Sequence, residues 1–418
     1  VPPSSPQTLA QKLVARACGR AAVAPGEVVT CKVDLALMHD SGGPRRVKPM
    51  LERLGAKVWD PAKVVVVTDH YVPAVDDESR RIVRIARDWA RETGVGAFYD
   101  EQGICHVVVP ERGHLRPGML AVGGDSHSPT GGAFAAYMFG VGATEMLGVL
   151  VTGEIWLKVP QTIAMEFSGR FAPGVCAKDV MLFLIGRFGL DGGQYQAVEY
   201  RGEAIRALPM QERMTLCNMA AELGAQTGLI ASDSVTKAFL KLDEMQVWKG
   251  DEGATFLAHH RFNAEDLAPQ VAAPHSPANA KDATAFRDVS LDVAYIGACT
   301  GAKLEDLRMA ARVLRNRKSR VKLLVAPASV RDREAAEKEG VLQALADAGA
   351  QFLPSSCGLC AGYGANLLPE DCVAISSTAR NFKGRMGAPG SRVYLASPYT
   401  VAASAVAGSI VDPREMLG

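Results

Sequence analysis

Apolar and polar positions follow two rhythms along this chain. Short apolar, largely β-branched runs occur at Val64–Val67, Cys105–Val109, Val293–Ile296, Val321–Val325, Gln351–Leu353, Val373–Ile375 and Val393–Ala396. Their length and their bounding Gly, Pro, Asp and Ser residues predict strands. Between them, Leu304–Arg317 and Arg331–Ala348 set apolar residues three and four apart, the spacing of helices packed on one face. Such alternation predicts an α/β protein with largely parallel sheets. The longest apolar stretch, Phe134 to Leu157, is long enough to cross a bilayer. Glu145, Glu154 and the glycines at 140, 142, 148 and 153 interrupt it, which predicts a buried glycine-rich helix followed by a strand. Residues Pro269–Ala285 carry three prolines, many alanines and no period, and predict an irregular connection. A softer break falls at Lys158-Val-Pro-Gln161. Three α/β/α domains follow, at 1–160, 161–285 and 286–418.

Composition narrows the class of partner. With 46 basic and 45 acidic residues the net charge is +1, which offers no concentrated positive face for nucleic acid or a membrane surface. A local pocket for a small anion remains open. Val1-Pro-Pro-Ser-Ser-Pro6 lacks the charged-then-apolar order of a signal peptide. The nine cysteines are an odd number without a dense framework, and predict reduced thiols in a cytoplasmic protein, available for metal.

The candidate chemistry begins with three of those thiols. Cys299 lies in Ile296-Gly-Ala-Cys-Thr-Gly301 and the other two in Cys357-Gly-Leu-Cys360, each after a predicted strand. Strand ends are where α/β proteins gather ligands. Closed zinc and iron–sulfur sites take four protein ligands, so three thiols leave one metal position free. Spacing alone leaves a redox pair, a zinc site and a cluster all open. The histidines add acid–base chemistry: Asp69-His70, His106 at the start of a predicted strand, and Asp125-Ser126-His127 between Gly123-Gly124 and Gly131-Gly132. Carboxylate–imidazole pairs orient general acids and bases. Asn218 and Glu222, four apart, share one face if their segment is helical. Arg380 and Arg385 follow a strand and suit bidentate carboxylate binding.

Together these motifs resemble the aconitase superfamily, and within it the separate large subunits typified by 3-isopropylmalate dehydratase and homoaconitase. Asp69-His70, Gly103-Ile-Cys-His106, Gly124-Asp-Ser-His127, Cys217-Asn-Met-Ala-Ala-Glu222, Gly297-Ala-Cys-Thr300, Cys357-x-x-Cys360 and Arg380-Asn-Phe-x-Gly-Arg385 occur in the family's order and span nearly the whole chain. The resemblance implies a 4Fe-4S cluster on Cys299, Cys357 and Cys360, with one open, labile iron that acts as a Lewis acid. It implies reversible dehydration of a hydroxy di- or tricarboxylate, isopropylmalate-like first, with homocitrate, citramalate/citraconate and dimethylmalate as alternatives. By position, His70 with Asp69 serves the leaving hydroxyl, while His106 with Asp125 and His127 with Glu222 surround the water. Arg380 and Arg385 hold substrate carboxylates, and Ser126 and Asn218 line the pocket. Family members also need a swivelling domain that carries a catalytic serine. The sequence shows no such segment before Gly418, which implies a separate small subunit.

Three positions depart from the family pattern. Ala379 stands where asparagine commonly precedes the first arginine, and Gly301 where asparagine commonly follows Cys-Thr. No clear glutamine equivalent occurs in His39-Asp-Ser-Gly-Gly-Pro44. Lost amides remove hydrogen bonds around a cluster. A clusterless regulatory or RNA-binding relative and a structural zinc site are the readings of a different class. Near-neutral charge opposes the first, and the histidine–carboxylate pairs oppose the second.

Overall fold

Val64–Thr68 reads Val-Val-Val-Val-Thr and is buried at every position, as a strand covered on both faces must be. In the computed structural model, which describes residues 5–417, it lies inside a five-stranded parallel sheet. The spatial order is Ala97–Asp100, Val64–Thr68, Leu35–His39, Leu120–Gly123, Tyr137–Gly140. A second parallel sheet runs Thr227–Leu229, Ala197–Arg201, Thr162–Ser168, Ala258–Asn263. The third has seven strands: Ala280–Asp282, Gln270–Ala272, Arg392–Ala396, Val373–Ser376, Val293–Ile296, Lys322–Val325, Ala350–Phe352. Its first two strands are antiparallel additions and the other five are parallel. Val28–Lys32 and Glu154–Lys158 form a separate antiparallel pair. The α/β class with largely parallel sheets is thus as the sequence predicts.

Strand order explains where a site can form. In the five-stranded sheet the chain moves one way from Leu35–His39 to Val64–Thr68 and the other way from Leu120–Gly123 to Tyr137–Gly140. In the seven-stranded sheet it moves one way from Val293–Ile296 and the other way from Val373–Ser376. Each reversal opens a crevice at the strand C-termini, the usual ligand position in open α/β sheets. The predicted His and Asp residues follow the first reversal, and the predicted Cys and Arg residues follow the second.

Several elements differ from the sequence reading. Cys105–Glu111 is a helix, not a strand, so His106 sits in a first helical turn. Cys105 through Pro110 are all buried, and an apolar run without alternation carries no period to separate strand from helix. Arg331–Ala348 is two helices, Val330–Lys338 and Val341–Asp347, broken at Gly340 with φ +72°. Pro269–Ala285 is not an irregular connection, since two of its segments, Gln270–Ala272 and Ala280–Asp282, are antiparallel strands of the third sheet, the second of them at its edge. Phe134–Leu157 holds the strand Tyr137–Gly140 ahead of the helix Ala143–Thr152. Among the described residues no helix is long and apolar enough to cross a membrane. The first four residues of the segment read for a targeting order, and Gly418, lie outside the described residues.

Candidate active site

The imidazole side is built from buried carboxylates. Asp40, fully buried after Leu35–His39, accepts hydrogen bonds from the amides of Asp69, His70 and Tyr71 at 3.2, 3.0 and 2.7 Å. That fixes the turn after Val64–Thr68. Asp69 then splits its oxygens. Oδ1 meets His70 Nδ1 at 2.6 Å, and Oδ2 accepts from the Cys105 amide at 2.7 Å, where the next helix begins. Burial alone would raise the Asp69 carboxyl, but the charge and hydrogen bond of His70 outweigh it and hold it at about 2. Burial likewise opposes charge on His70, and Asp69 overrides it, pushing the imidazole up to about 10. His39 stacks on His70 with centroids 4.1 Å apart, and burial, then the charge of His70, lowers its pKa.

Asp125 is the hub. His106 Nε2 lies 2.6 Å from its Oδ1, and the His127 amide donates to the same oxygen at 2.8 Å. Its Oδ2 is 3.8 Å from both His39 Nε2 and His70 Nε2. Against its burial, the charge and hydrogen bond of His106 hold Asp125 well below the usual carboxylate range. His127 Nε2 reaches Glu222 Oε1 at 3.0 Å, and Arg380 Nε reaches the same oxygen at 2.6 Å. Glu222 is held at about 2, the charges of His127 and Arg380 outweighing its burial. Asn218 and Glu222 do not share a helix. Met210–Asn218 ends at the asparagine, and Glu222 lies in the turns beyond. Asn218 Nδ2 instead donates to Thr130 Oγ1 at 2.8 Å and to Cys299 Sγ at 3.3 Å.

The thiols face this array. The Cys357 amide donates to the Asp69 carbonyl at 2.8 Å, tying the second cysteine loop to the His70 turn. Cys360 lies in the short turn Gly358–Ala361. The neighbouring Cys357 thiol, and then the charges of Arg385, His127 and Arg380, bring Cys360 below the usual thiol range against burial. Burial pushes Cys299 up to about 12. Gly301 follows a turn in which Ala298 has φ +69°. A Cβ at Gly301 would stand 2.2 Å from Ser377 Cβ and 2.6 Å from its carbonyl oxygen. Close approach to the neighbouring strand end therefore excludes the amide side chain common in the family. We expect Gly301→Ala to lower stability by about 1–3 kcal/mol, read by denaturant unfolding. An unchanged midpoint would contradict the packing account.

His70, His106, Asp125, Ser126, His127, the three cysteines, Arg380 and Arg385 line one cleft of about 400 Å³. Asp69, Asn218 and Glu222 stand behind it, each bonded to a lining residue. Sequence reasoning missed His39 and Arg46, which also line the cleft, and the buried Asp40, Lys178 and Lys303. His39-Asp40 repeats the strand-end pairing of Asp69-His70 and was legible by the same rule. A larger cleft of about 530 Å³ beside Trp156 and Tyr195 contains neither imidazole nor thiol.

The family model described as Aconitase family (aconitate hydratase) matches residues 11–285 and 279–408. The chain belongs to the aconitase family. Among curated relatives, it is 42% identical to 3-isopropylmalate dehydratase large subunit 1 of Methanopyrus kandleri over 98% of this chain and 100% of that one. It is 40% identical to the probable methanogen homoaconitase large subunit of Methanothermobacter thermautotrophicus over 98% of each chain. The same identity holds with the 3-isopropylmalate dehydratase large subunit of a Sulfurihydrogenibium species, over 98% of this chain and 96% of that one. Aconitase-family membership implies an iron–sulfur cluster, and the donor set fits it. Three soft thiols line one cleft beside an amide donor on Cys299 and two arginines, a set suited to iron–sulfur centres.

Proposed function

We propose that this chain is the cluster-bearing large subunit of a hydro-lyase that dehydrates and isomerises a 3-isopropylmalate-like 2-hydroxy dicarboxylate in leucine biosynthesis. The carrying observation is one cleft in which three thiols oppose three carboxylate-paired imidazoles and two arginines. Cys299, Cys357 and Cys360 would hold a 4Fe-4S cluster whose open iron supplies a Lewis acid toward the departing hydroxide. Homoaconitase is the second reading, favoured by relatives of that name at 40 and 42% identity.

The chain's own residues have the following roles. His70 keeps Nδ1 on Asp69, which leaves Nε2 directed to the cleft as donor to the leaving hydroxyl. His106 and His127, held by Asp125 and Glu222, position water. Arg385 has a buried Nε without a partner among the described residues, and Arg380 uses its Nε on Glu222, so both guanidiniums retain donors for substrate carboxylates. Ser126 and Asn218 shape the pocket wall. The relatives are named large subunits, which supports a small-subunit partner supplying the swivel domain and the serine that takes the carbon-bound proton. Nine free thiols support a cytoplasmic setting, where they stay reduced.

Two experiments bear on this. Mixing the reconstituted chain with small subunits of isopropylmalate and homoaconitase type, and following absorbance of the unsaturated product, should give activity only with a partner. Full activity of the chain alone would overturn the partner assignment. Because His70 must be protonated to donate, kcat/KM should hold through neutral pH and fall as pH rises through about 10. Asp69→Asn removes the charge that raises His70, so this limb should move to lower pH. A limb that stays in place would remove His70 from the donor role.

A further inference from the structure

Lys178 lies in the first turn of the helix Ala177–Phe188 and is 1% exposed. Its Nζ donates to the carbonyls of Thr378 and Ser377 at 2.5 and 3.1 Å and to Thr300 Oγ1 at 3.4 Å. Thr300 Oγ1 donates to the same Ser377 carbonyl at 2.9 Å, and Ser377 Oγ accepts from the Gly297 amide at 2.9 Å. One ammonium thus joins a helix, the turn that carries Cys299 and the strand end that leads to Arg380. Among the described residues no carboxylate comes within 4.0 Å of it. A buried charge without an ionic partner is costly and marks a position where charge serves something else. Lys303, also buried, bonds Thr215 Oγ1 and the Cys299 carbonyl, each at 2.9 Å. It already has its ion pair, with Asp306 at 2.6 Å.

We propose that Lys178 is a positioning residue for the metal site. Its ammonium clamps the Cys299 turn to the strand end that presents Arg380, and its charge offsets the thiolates that form when iron binds. This rests on the cluster reading of the three thiols. Each thiol that binds iron gives its proton to solvent, so loading leaves three negative sulfurs in a buried site. Of the two buried lysines beneath the Cys299 turn, only Lys178 has charge to spare. Burial brings Lys178 down to about 8, with Glu222, Cys360 and Cys299 pulling the other way.

The test uses the full chain reconstituted anaerobically with iron and sulfide. Lys178→Gln keeps donors and removes the charge, Lys178→Met removes both, and Thr300→Val keeps the charge and removes one acceptor. Iron retention against a chelator and the cluster's reduction potential are the readouts. Both lysine variants should lose iron about 10- to 100-fold more readily and shift the potential to more negative values. Thr300→Val should leave the potential near that of the unaltered chain. Retention and potential unchanged in Lys178→Gln would overturn the proposal, as would an equal shift in Thr300→Val. Failure of the unaltered chain to take up iron would sink the cluster reading and this proposal with it. Normal loading with unaltered variants would sink the proposal alone.

Discussion

Replacing any one of Cys299, Cys357 or Cys360 by serine should reduce dehydratase activity by roughly a thousandfold or more. A Lewis acid at a departing oxygen contributes several kcal/mol to the transition state, and each 1.36 kcal/mol is a factor of ten in rate. The three positions should behave alike, because a cluster lacking one thiol anchor is not held. Cys18, half-buried beyond the N-terminal helix Leu9–Ala17, is the internal control, and Cys18→Ser should leave activity unchanged. The serine variants should also retain their fold by circular dichroism, since serine is close to cysteine in size and all three thiols reach the cleft. Activity that survives in two of the three variants would contradict a shared metal site.

Asp125→Asn should give the second largest effect, a fall in kcat of about 10²- to 10⁴-fold. One carboxylate holds His106 at 2.6 Å and the His127 amide at 2.8 Å, and stands 3.8 Å from both His39 and His70. Asparagine fills the same volume but removes the charge that all of these imidazoles face. It also forces one oxygen to become an NH2 group, so a donor would point at His106 or at the His39 and His70 side. The loss should fall on kcat more than on KM, because Arg380 and Arg385 retain their donors for substrate. Iron content should be unchanged, which separates this variant from the cysteine series. A tenfold or smaller loss would remove Asp125 from the centre of the acid–base array.

The contrast between what was legible and what was not follows physical lines. Strands with β-branched runs and flanking turns, such as Val64–Thr68 and Val293–Ile296, announce themselves, and chemistry placed just past their ends is visible in sequence. Cys105–Glu111 was misread because complete burial erases the period that separates helix from strand. Pro269–Ala285 shows no period because its strands, Gln270–Ala272 and Ala280–Asp282, are three residues each, and the prolines lie outside them, at 269, 274 and 277. Glu222 was expected on the Asn218 helix, yet the helix ends at Asn218 and the turns beyond carry the carboxylate to His127 and Arg380. Lys178 was invisible because a lysine in a first helical turn reads as a solvated side chain. Only tertiary packing closes Thr300, Ser377 and Thr378 around it. Gly301 looked like a loss of an amide, whereas its spacing from Ser377 shows that close approach of two strand ends requires it.

Two topological switch points face each other across the cleft. One brings imidazoles and carboxylates, the other thiols and guanidiniums, and neither alone makes a site for a hydroxy dicarboxylate. The proposed function depends on the thiols holding an iron–sulfur cluster with one open iron. Anaerobic reconstitution with iron and sulfide, followed by mild oxidation and electron paramagnetic resonance, tests it directly. The expected result is the signal of a three-iron cluster, formed as the single iron without a protein thiol is lost. Stoichiometric zinc bound to the chain, with no such signal, would contradict it.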